Sequence, residues 1–319
     1  MNMNKHYTKE RNVQIILYIL KAHGIKKVVV SPGSTNIAIV GSMQHDPFFE
    51  MYSCVDERSA AYMACGLAAE SGEPVVLSCT GATASRNYYP ALTEAFYRKL
   101  PILAITSSQD SRLIGHLKDQ ITVRTQPPCD VVKMSTTLQN IRDADDEWDV
   151  IVKANKAVLE LNHHGKGPVH INLETTYCRD FSVVELPVAR IIKRYSYGDE
   201  MPSLPEGRIA VLIGAHMKMS QEETIAIDNF CKCHNAVVFC DPSSGYKGEY
   251  AVYYTLSSWK QWSGDNVRVD LLIRLGEISF FSSRMVSPRM IWRVSEDGEL
   301  RDYERKLTCV FEMRERDFF

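Results

Sequence analysis

The sequence predicts an α/β protein made of two doubly wound, mainly parallel-sheet domains. Three observations carry that reading. Short apolar runs of strand length alternate with segments of helical period from Lys27 to Leu173, and again from Ile209 to Phe311. This is the rhythm of a parallel sheet covered on both faces. Glycine- and serine-rich turns stand at the ends of several of those runs, where open α/β sheets present ligand sites. Between the two series, from Glu174 to Gly207, the pattern dissolves into a stretch that holds Pro187, Pro202 and Pro205. At about 150 residues per domain, a chain of 319 residues suits two.

Thr8 is a candidate N-cap for the first helix. Within it Val13, Ile16, Leu17 and Leu20 recur at the spacing of one helical face, and Gly24 is a stop signal. Lys27–Val30 reads as a buried strand that runs into Ser31-Pro32-Gly33-Ser34-Thr35-Asn36. A helix over Asn36–Gln44 and a strand over Met51–Val55 follow. Asp56-Glu57 then precede a helix of mostly small residues, Ser59–Ser71, and Pro74–Cys79 is the third strand. The polar turn from Thr80 to Asn87 opens a helix over Thr83–Lys99, and Pro101–Thr106 is the fourth strand. Residues Ser107 to Pro128 read as an irregular loop, long enough to suggest a functional segment.

Glu147–Leu161 places Val150, Ile151, Ala154, Val158 and Leu161 on one helical face. His163-His164-Gly165-Lys166-Gly167 makes a turn, and Pro168–Leu173 returns as a strand. In the second series Ile209–Ile213, Ala236–Cys240, Asp270–Leu275, Met290–Val294 and Thr308–Phe311 are strands, with a helix over Gln221–His234. The expected division is residues 1–180, a linker over 181–207, and residues 208–319.

A formal charge of -2 leaves no electrostatic footprint for nucleic acid or anionic lipid. The apolar run Val13–Leu20 is interrupted by Gln14 and too short to span a bilayer. Nine cysteines without framework spacing fit reduced thiols, and a cytoplasmic location is expected.

The stretch from Asp56 to Pro90 carries the chemistry. One carboxylate, Glu57, sits beside a helix of small side chains, and a glycine-containing turn follows about twenty residues later. That pattern suits a flat, polar heterocycle lying against backbone and meeting one acid. Taken alone, Asp56 and Glu57 are also what a helix start wants, as a cap and a dipole partner.

The segments Ser31-Pro32-Gly33-Ser34, Asp56-Glu57-Arg58-Ser59-Ala60-Ala61, Thr80 to Asn87, and Tyr88-Tyr89-Pro90-Ala91 stand in one order. Together they resemble the thiamin diphosphate-dependent enzymes, most closely the MenD-like branch of menaquinone biosynthesis, which joins 2-oxoglutarate to isochorismate. Gly167-Pro168-Val169-His170-Ile171-Asn172-Leu173 is similar to the strand that ends that family's pyrimidine-binding domain, and Asp270 to Gly276 to part of its Rossmann-like central domain. The resemblance implies an enzyme that acts on a 2-oxo acid by decarboxylation, carbon–carbon ligation or both. It implies that Glu57 activates the cofactor's aminopyrimidine by a hydrogen bond to N1′. Ser31, Pro32, Gly33, Thr80, Gly81, Ala82, Thr83 and Asn87 are implied to hold the pyrimidine end of thiamin diphosphate. Ser34, Thr35, Arg112 and His116 fall on the substrate side, and His116 stands where the family places a glutamine, as a candidate proton relay.

Two departures stand out. Thr35 occupies a position where MenD-like sequences carry arginine, and Ala82 one where many members carry glycine. The family's Gly-Asp-Gly…Asn signature, which holds Mg²⁺ and the diphosphate, does not occur in the sequence. The expected arrangement is therefore an active site completed by a diphosphate-binding domain or separate subunit, with Mg²⁺ supplied there, and a homodimer through the pyrimidine-binding domain. The alternative is a non-catalytic regulatory or scaffold subunit of the same fold. A nucleotide-binding second half is a further reading, but neither Gly214-Ala215-His216 nor Gly276-Glu277-Ile278 completes a dinucleotide fingerprint. Cys231-Lys232-Cys233-His234 lacks a second ligand pair and reads as helix, so no metal ligand is assigned. His163-His164 reads as loop, and Gly264-Asp265-Asn266 and Asp297-Gly298 as turns.

Overall fold

The computed structural model describes residues 6–253, 267–278 and 286–319. The chain divides into two compact units, Met1–Ile191 and Ile192–Phe319. Gly264-Asp265-Asn266 lies outside the described residues.

In the first unit six parallel strands are β1 (Lys27–Val30), β2 (Glu50–Ser53), β3 (Val75–Thr80), β4 (Ile102–Ser108), β5 (Met134–Leu138) and β6 (Val169–Glu174). Their order across the sheet is β2-β1-β3-β4-β6-β5. The helices are α1 (Arg11–Ala22), α2 (Ile37–Gln44), α3 (Glu57–Ser71), α4 (Ala82–Asn87), α5 (Tyr89–Arg98) and α6 (Ala144–Glu160). One core gathers α1, α2 and α6 through Ile16, Leu20, Ile39, Ala154 and Val158 against Val28, Leu103, Ile105 and Ile171. The other gathers α3 and α5 through Ala60, Ala64, Ala68, Leu92 and Ala95 against Val29, Leu77 and Ala104. The small residues of α3 let its backbone lie close to the sheet, so packing sets its position and bulk does not.

Several elements differ from the sequence expectation. Thr8 does not cap α1; Glu10 holds the N-cap position with no side-chain cap bond. Its carboxylate accepts instead from the backbone of Thr176 at 2.8 Å and Cys178 at 3.1 Å. The helix expected over Thr83–Lys99 is two helices, because Pro90 in the first turn of α5 cannot donate a backbone hydrogen bond to α4. Strand β5 emerges from a polar run, Met-Ser-Thr-Thr-Leu, that carries no apolar alternation. Residues 181–207 are not a free linker. Val183 bridges Tyr7, Ala189 is buried in the first core, and Lys193–Ser196 forms a strand, β7, of the second unit. Short edge segments of this kind leave little hydrophobic periodicity to read.

A buried ion pair ties α1 to the turn after α2. Lys21 donates to Asp46, which is 1% exposed and also accepts from the Tyr7 hydroxyl at 2.6 Å. Burial opposes ionisation of Asp46, but these two bonds and the Phe48 amide outweigh it and hold its carboxyl below the ordinary value.

The second unit is a seven-stranded parallel sheet. Besides β7 it contains β8 (Ile209–Ile213), β9 (Val237–Cys240), β10 (Ala251–Val252), β11 (Val267–Leu275), β12 (Val286–Val294) and β13 (Leu307–Glu312), in the order β10-β9-β8-β11-β12-β13-β7. Helix α7 (Gln221–His234) starts on a capping box in which Ser220 and Glu223 satisfy each other's backbone amides. Its Ile227 and Cys231 pack with Val211, Ile273 and Phe311. Both units are thus doubly wound α/β sheets. Among the described helices none is long and apolar enough to cross a membrane.

Candidate active site

The site grows from the topology of the first sheet. β1 and β3 are neighbours, yet the chain leaves β1 toward β2 and leaves β3 toward β4. The connections that follow them therefore lead to opposite sides of the sheet, and such a switch point is where open α/β sheets place ligands.

The loop after β1 is fixed by its own side chains. Ser31 Oγ donates to the Cys54 carbonyl at 2.8 Å, Gly33 N donates to Asn36 Oδ1 at 2.9 Å, and Asn36 Nδ2 donates to the Ser31 carbonyl at 3.1 Å. A Cβ on Gly33 would overlap Thr80 Cγ2, so the loops after β1 and β3 touch only because residue 33 is glycine. Thr35 is buried and its hydroxyl donates to the Ser107 carbonyl at 2.8 Å. Pro32 and Ser34 are exposed.

Glu57 opens α3, where the unsatisfied amides of the first turn favour a negative charge. Asp56 caps the helix by accepting from Ser59 N at 2.7 Å, which leaves the Glu57 side chain free for another role. Half-buried, it accepts from Asn87 Nδ2 at 3.1 Å through Oε2. Its Oε1 has no hydrogen bond among the described residues. The head of α3 and the end of α4 are thereby joined, thirty residues apart in sequence.

The turn that leads from β3 to α4 is tight. A Cβ on Gly81 would lie 2.8 Å from the Arg124 guanidinium and 3.2 Å from the Ser107 carbonyl oxygen. Ala82 adopts a left-handed backbone with φ of 52°, a conformation that costs an L-residue roughly 1–2 kcal/mol and glycine almost nothing. Thr80 is half-buried and Thr83 exposed.

Under this turn lies a polar network that sequence reading missed. Arg124, from the irregular loop, is 4% exposed and donates to Thr106 Oγ1 at 2.9 Å and to Asn172 Oδ1. Thr106 and Ser135 each share a 2.8 Å hydrogen bond with a ring nitrogen of His170. Burial pulls the Arg124 guanidinium down to about 10, and burial together with the Arg124 charge pulls His170 down to about 3. Burial also raises the Cys79 thiol to about 12 and the Tyr88 phenol well above its ordinary value. No sequence signal marks Arg124. His170 lies at a strand position whose apolar neighbours hide it.

The remaining candidates lie apart from this cluster. Arg112, in a single helical turn over Ser111–Leu113, is exposed and donates through Nε to Asp110 at 2.9 Å. His116 is exposed, and no side-chain hydrogen bond is made by its ring among the described residues. His163 is buried, shares a 2.9 Å hydrogen bond with Glu160, and stacks on His164. In α7 Cys231 is buried, whereas Cys233 is exposed and His234 packs against Phe230. At the switch point of the second sheet, Arg293 donates to the Gly276 carbonyl and to Glu277, both at 3.1 Å, and a Cβ on Gly276 would lie 2.7 Å from the Ala215 oxygen.

Residues 11–134 match the family described as thiamine pyrophosphate enzyme, N-terminal TPP binding domain. Along 98% of its length the chain is 33% identical to a 2-succinyl-5-enolpyruvyl-6-hydroxy-3-cyclohexene-1-carboxylate synthase of Bacteroides thetaiotaomicron, and 31% identical to one of Phocaeicola vulgatus. It spans 59% of the length of each. Among solved structures, a thiamine diphosphate-dependent 4-hydroxybenzoylformate decarboxylase of Rhodococcus jostii aligns over 90% of this chain and 57% of its own, at 17% identity and a TM-score of 0.45. Residues 11–134 thus carry the N-terminal TPP binding domain of the thiamine pyrophosphate enzymes, and the chain as a whole is similar to these synthases.

Proposed function

We propose that the chain is the N-terminal portion of a thiamin diphosphate-dependent enzyme that acts on a 2-oxo acid, by decarboxylation, carbon–carbon ligation or both. The observation that carries this reading is Glu57. It is a half-buried carboxylate at a helix N-terminus, held through one oxygen by Asn87, on the same sheet end as two glycine-containing loops that meet at Gly33 and Thr80. Such a donor set fits an aminopyrimidine. The free oxygen can accept from N1′, while Ser31, Pro32, Gly33, Thr80, Gly81, Ala82 and Thr83 line the flanking backbone. The cofactor, when bound, supplies the nucleophilic carbon that no side chain can furnish. Glu57 holds the proton at N1′, and its placement in a partly water-excluded position strengthens that bond.

Ser34, Thr35, Arg112 and His116 are the substrate-side residues of this reading. The Thr35 hydroxyl is bound to Ser107, and Arg112 binds Asp110 through Nε and Nη2, so a substrate carboxylate would engage Arg112 through Nη1. The diphosphate and Mg²⁺ belong, in this proposal, to the part of the synthases that the chain does not span. A homodimer through the first unit is part of the same reading, supported by the exposed side chains of Tyr52, Val55, Tyr62 and Met63 around Glu57.

The test is hydrogen–deuterium exchange at the cofactor's thiazolium C2, followed by NMR with Mg²⁺. The full chain is combined with the C-terminal portion of the Bacteroides thetaiotaomicron synthase. Exchange should exceed that of free cofactor, and Glu57→Gln should slow it by about 10²–10⁴-fold with an unchanged circular dichroism spectrum. Equal exchange by the two proteins would remove Glu57 from this role. Cofactor binding by calorimetry with no acceleration of exchange would favour the regulatory subunit.

A further inference from the structure

We propose that the second unit carries a phosphate-binding cleft at the N-terminal edge of its sheet. Gly207, Arg208, Arg268, Asp270, Ser287 and Arg289 line one open cleft there. The pairing of Leu271 with Ile209, and of Arg268 with Ser287, sets these residues side by side across β8, β11 and β12. Alternation along β11 puts Arg268 and Asp270 on one face, while Val269 and Leu271 point to the other and are buried.

The charges in this cleft are not balanced from within. Arg208, Arg268 and Arg289 are exposed, and among the described residues none of the three forms an ion pair. Elsewhere in the chain Arg98, Arg142, Arg274, Arg301 and Arg314 are each paired with a carboxylate. Asp270, the acid in the cleft, is turned to the backbone: its Oδ2 accepts from Arg208 N at 2.9 Å. Gly207, at φ of 118°, lets the chain approach so closely that a Cβ there would overlap the same carboxylate. Three arginines less one aspartate leave a formal charge of +2. The register pairs Arg268 with Ser287 and sets Asp270, between the Val269–Pro288 and Leu271–Met290 pairs, beside Arg289, so one acid serves three arginines and an anion from solution supplies the charge that Asp270 does not.

The donor geometry selects phosphate. A carboxylate is satisfied by one guanidinium fork, whereas a tetrahedral dianion accepts from several directions at once. Arg208 just before β8, Arg268 on β11, Arg289 on β12 and the Ser287 hydroxyl supply such directions. The ligand class is a small molecule that carries a phosphate or diphosphate group.

The experiment titrates inorganic pyrophosphate into the full chain by calorimetry, at fixed ionic strength, with citrate as the carboxylate arm. Pyrophosphate should bind at least tenfold more tightly than citrate. Arg208→Gln with Arg289→Gln should weaken it at least tenfold while the thermal midpoint without ligand is unchanged. Arg208→Lys with Arg289→Lys, which keeps charge and loses the fork, should fall between the two. Absence of binding, equal binding of citrate, or undiminished binding by the glutamine variant overturns the proposal. No residue of the first unit enters, so Glu57→Gln should leave this affinity intact, and failure here would leave the reading of Glu57 standing.

Discussion

His170 gives the first unit a built-in sensitivity to acid. The imidazole is enclosed between Thr106 and Ser135, with the Arg124 guanidinium on the far side of the Thr106 hydroxyl. Burial and that positive charge hold its folded-state value at about 3, against 6.5 in the unfolded chain. Between those two values the unfolded state takes up a proton that the folded state does not. Stability from this group is therefore complete above pH 6.5 and is lost as pH falls toward 3. At pH 5 the loss is about 2 kcal/mol relative to pH 8, or roughly 4–8 °C in thermal midpoint for a unit of this size. The perturbation is His170→Gln, which removes the titration and keeps a neutral hydrogen-bonding side chain. Urea unfolding at pH 8 and pH 5, read by hydrogen exchange of peptides from β4 and β6, reports this unit alone. The variant is expected to be destabilised at pH 8 and to close most of that gap by pH 5. A wild-type-minus-variant difference that stays constant from pH 8 to pH 5 would refute the reasoning.

Three further outcomes follow from the packing. Ala82→Gly relieves the left-handed backbone at φ of 52° and should raise stability by about 0.5–1 kcal/mol, since glycine's greater unfolded-state freedom offsets part of the gain; urea unfolding measures it. Gly33→Ala drives a methyl into Thr80 Cγ2 and should cost about 1–3 kcal/mol, with much of the loss recovered when Thr80→Ser removes the opposing methyl. Lys21→Met removes the cation from the buried Asp46 carboxylate, which the Tyr7 hydroxyl and the Phe48 amide also bind. It should cost about 3–5 kcal/mol, and Lys21→Met combined with Asp46→Asn should cost less than the single change.

The regular parts of this fold were legible because their residues obey one simple period each. Val13, Ile16, Leu17 and Leu20 mark α1, and Ile209–Ile213 was read at the bounds the structure has. Strand β5 and strand β7 were not legible, since an edge strand buries too little on either face to impose alternation. The break at Tyr88 was written in Pro90, but the helical composition on both sides concealed it. At the site, Glu57, Asn87, Gly33 and Gly81 were all visible as sequence, and the structure adds that the first two are bonded and that each glycine faces a close neighbour. Arg124 could not be found that way. A buried arginine in a polar loop looks like a solvated one until the strands that surround it are known.

That arginine also explains why the turn at Gly81 is built as it is. A guanidinium buried with neutral partners is tolerated only where its donors are fixed, and here Thr106 and Asn172 fix them from β4 and β6. The same group lies against Gly81, where any side chain would strike it. Arg86 meanwhile donates to the Val123 carbonyl at 2.8 Å, one residue before Arg124. The irregular loop is thus pinned to the turn from two sides, and the turn in turn carries Asn87 to Glu57. Rigid strands, not the loop itself, therefore set where the Glu57 carboxylate stands. This is the condition under which one half-buried acid can hold a single proton-bearing atom in register.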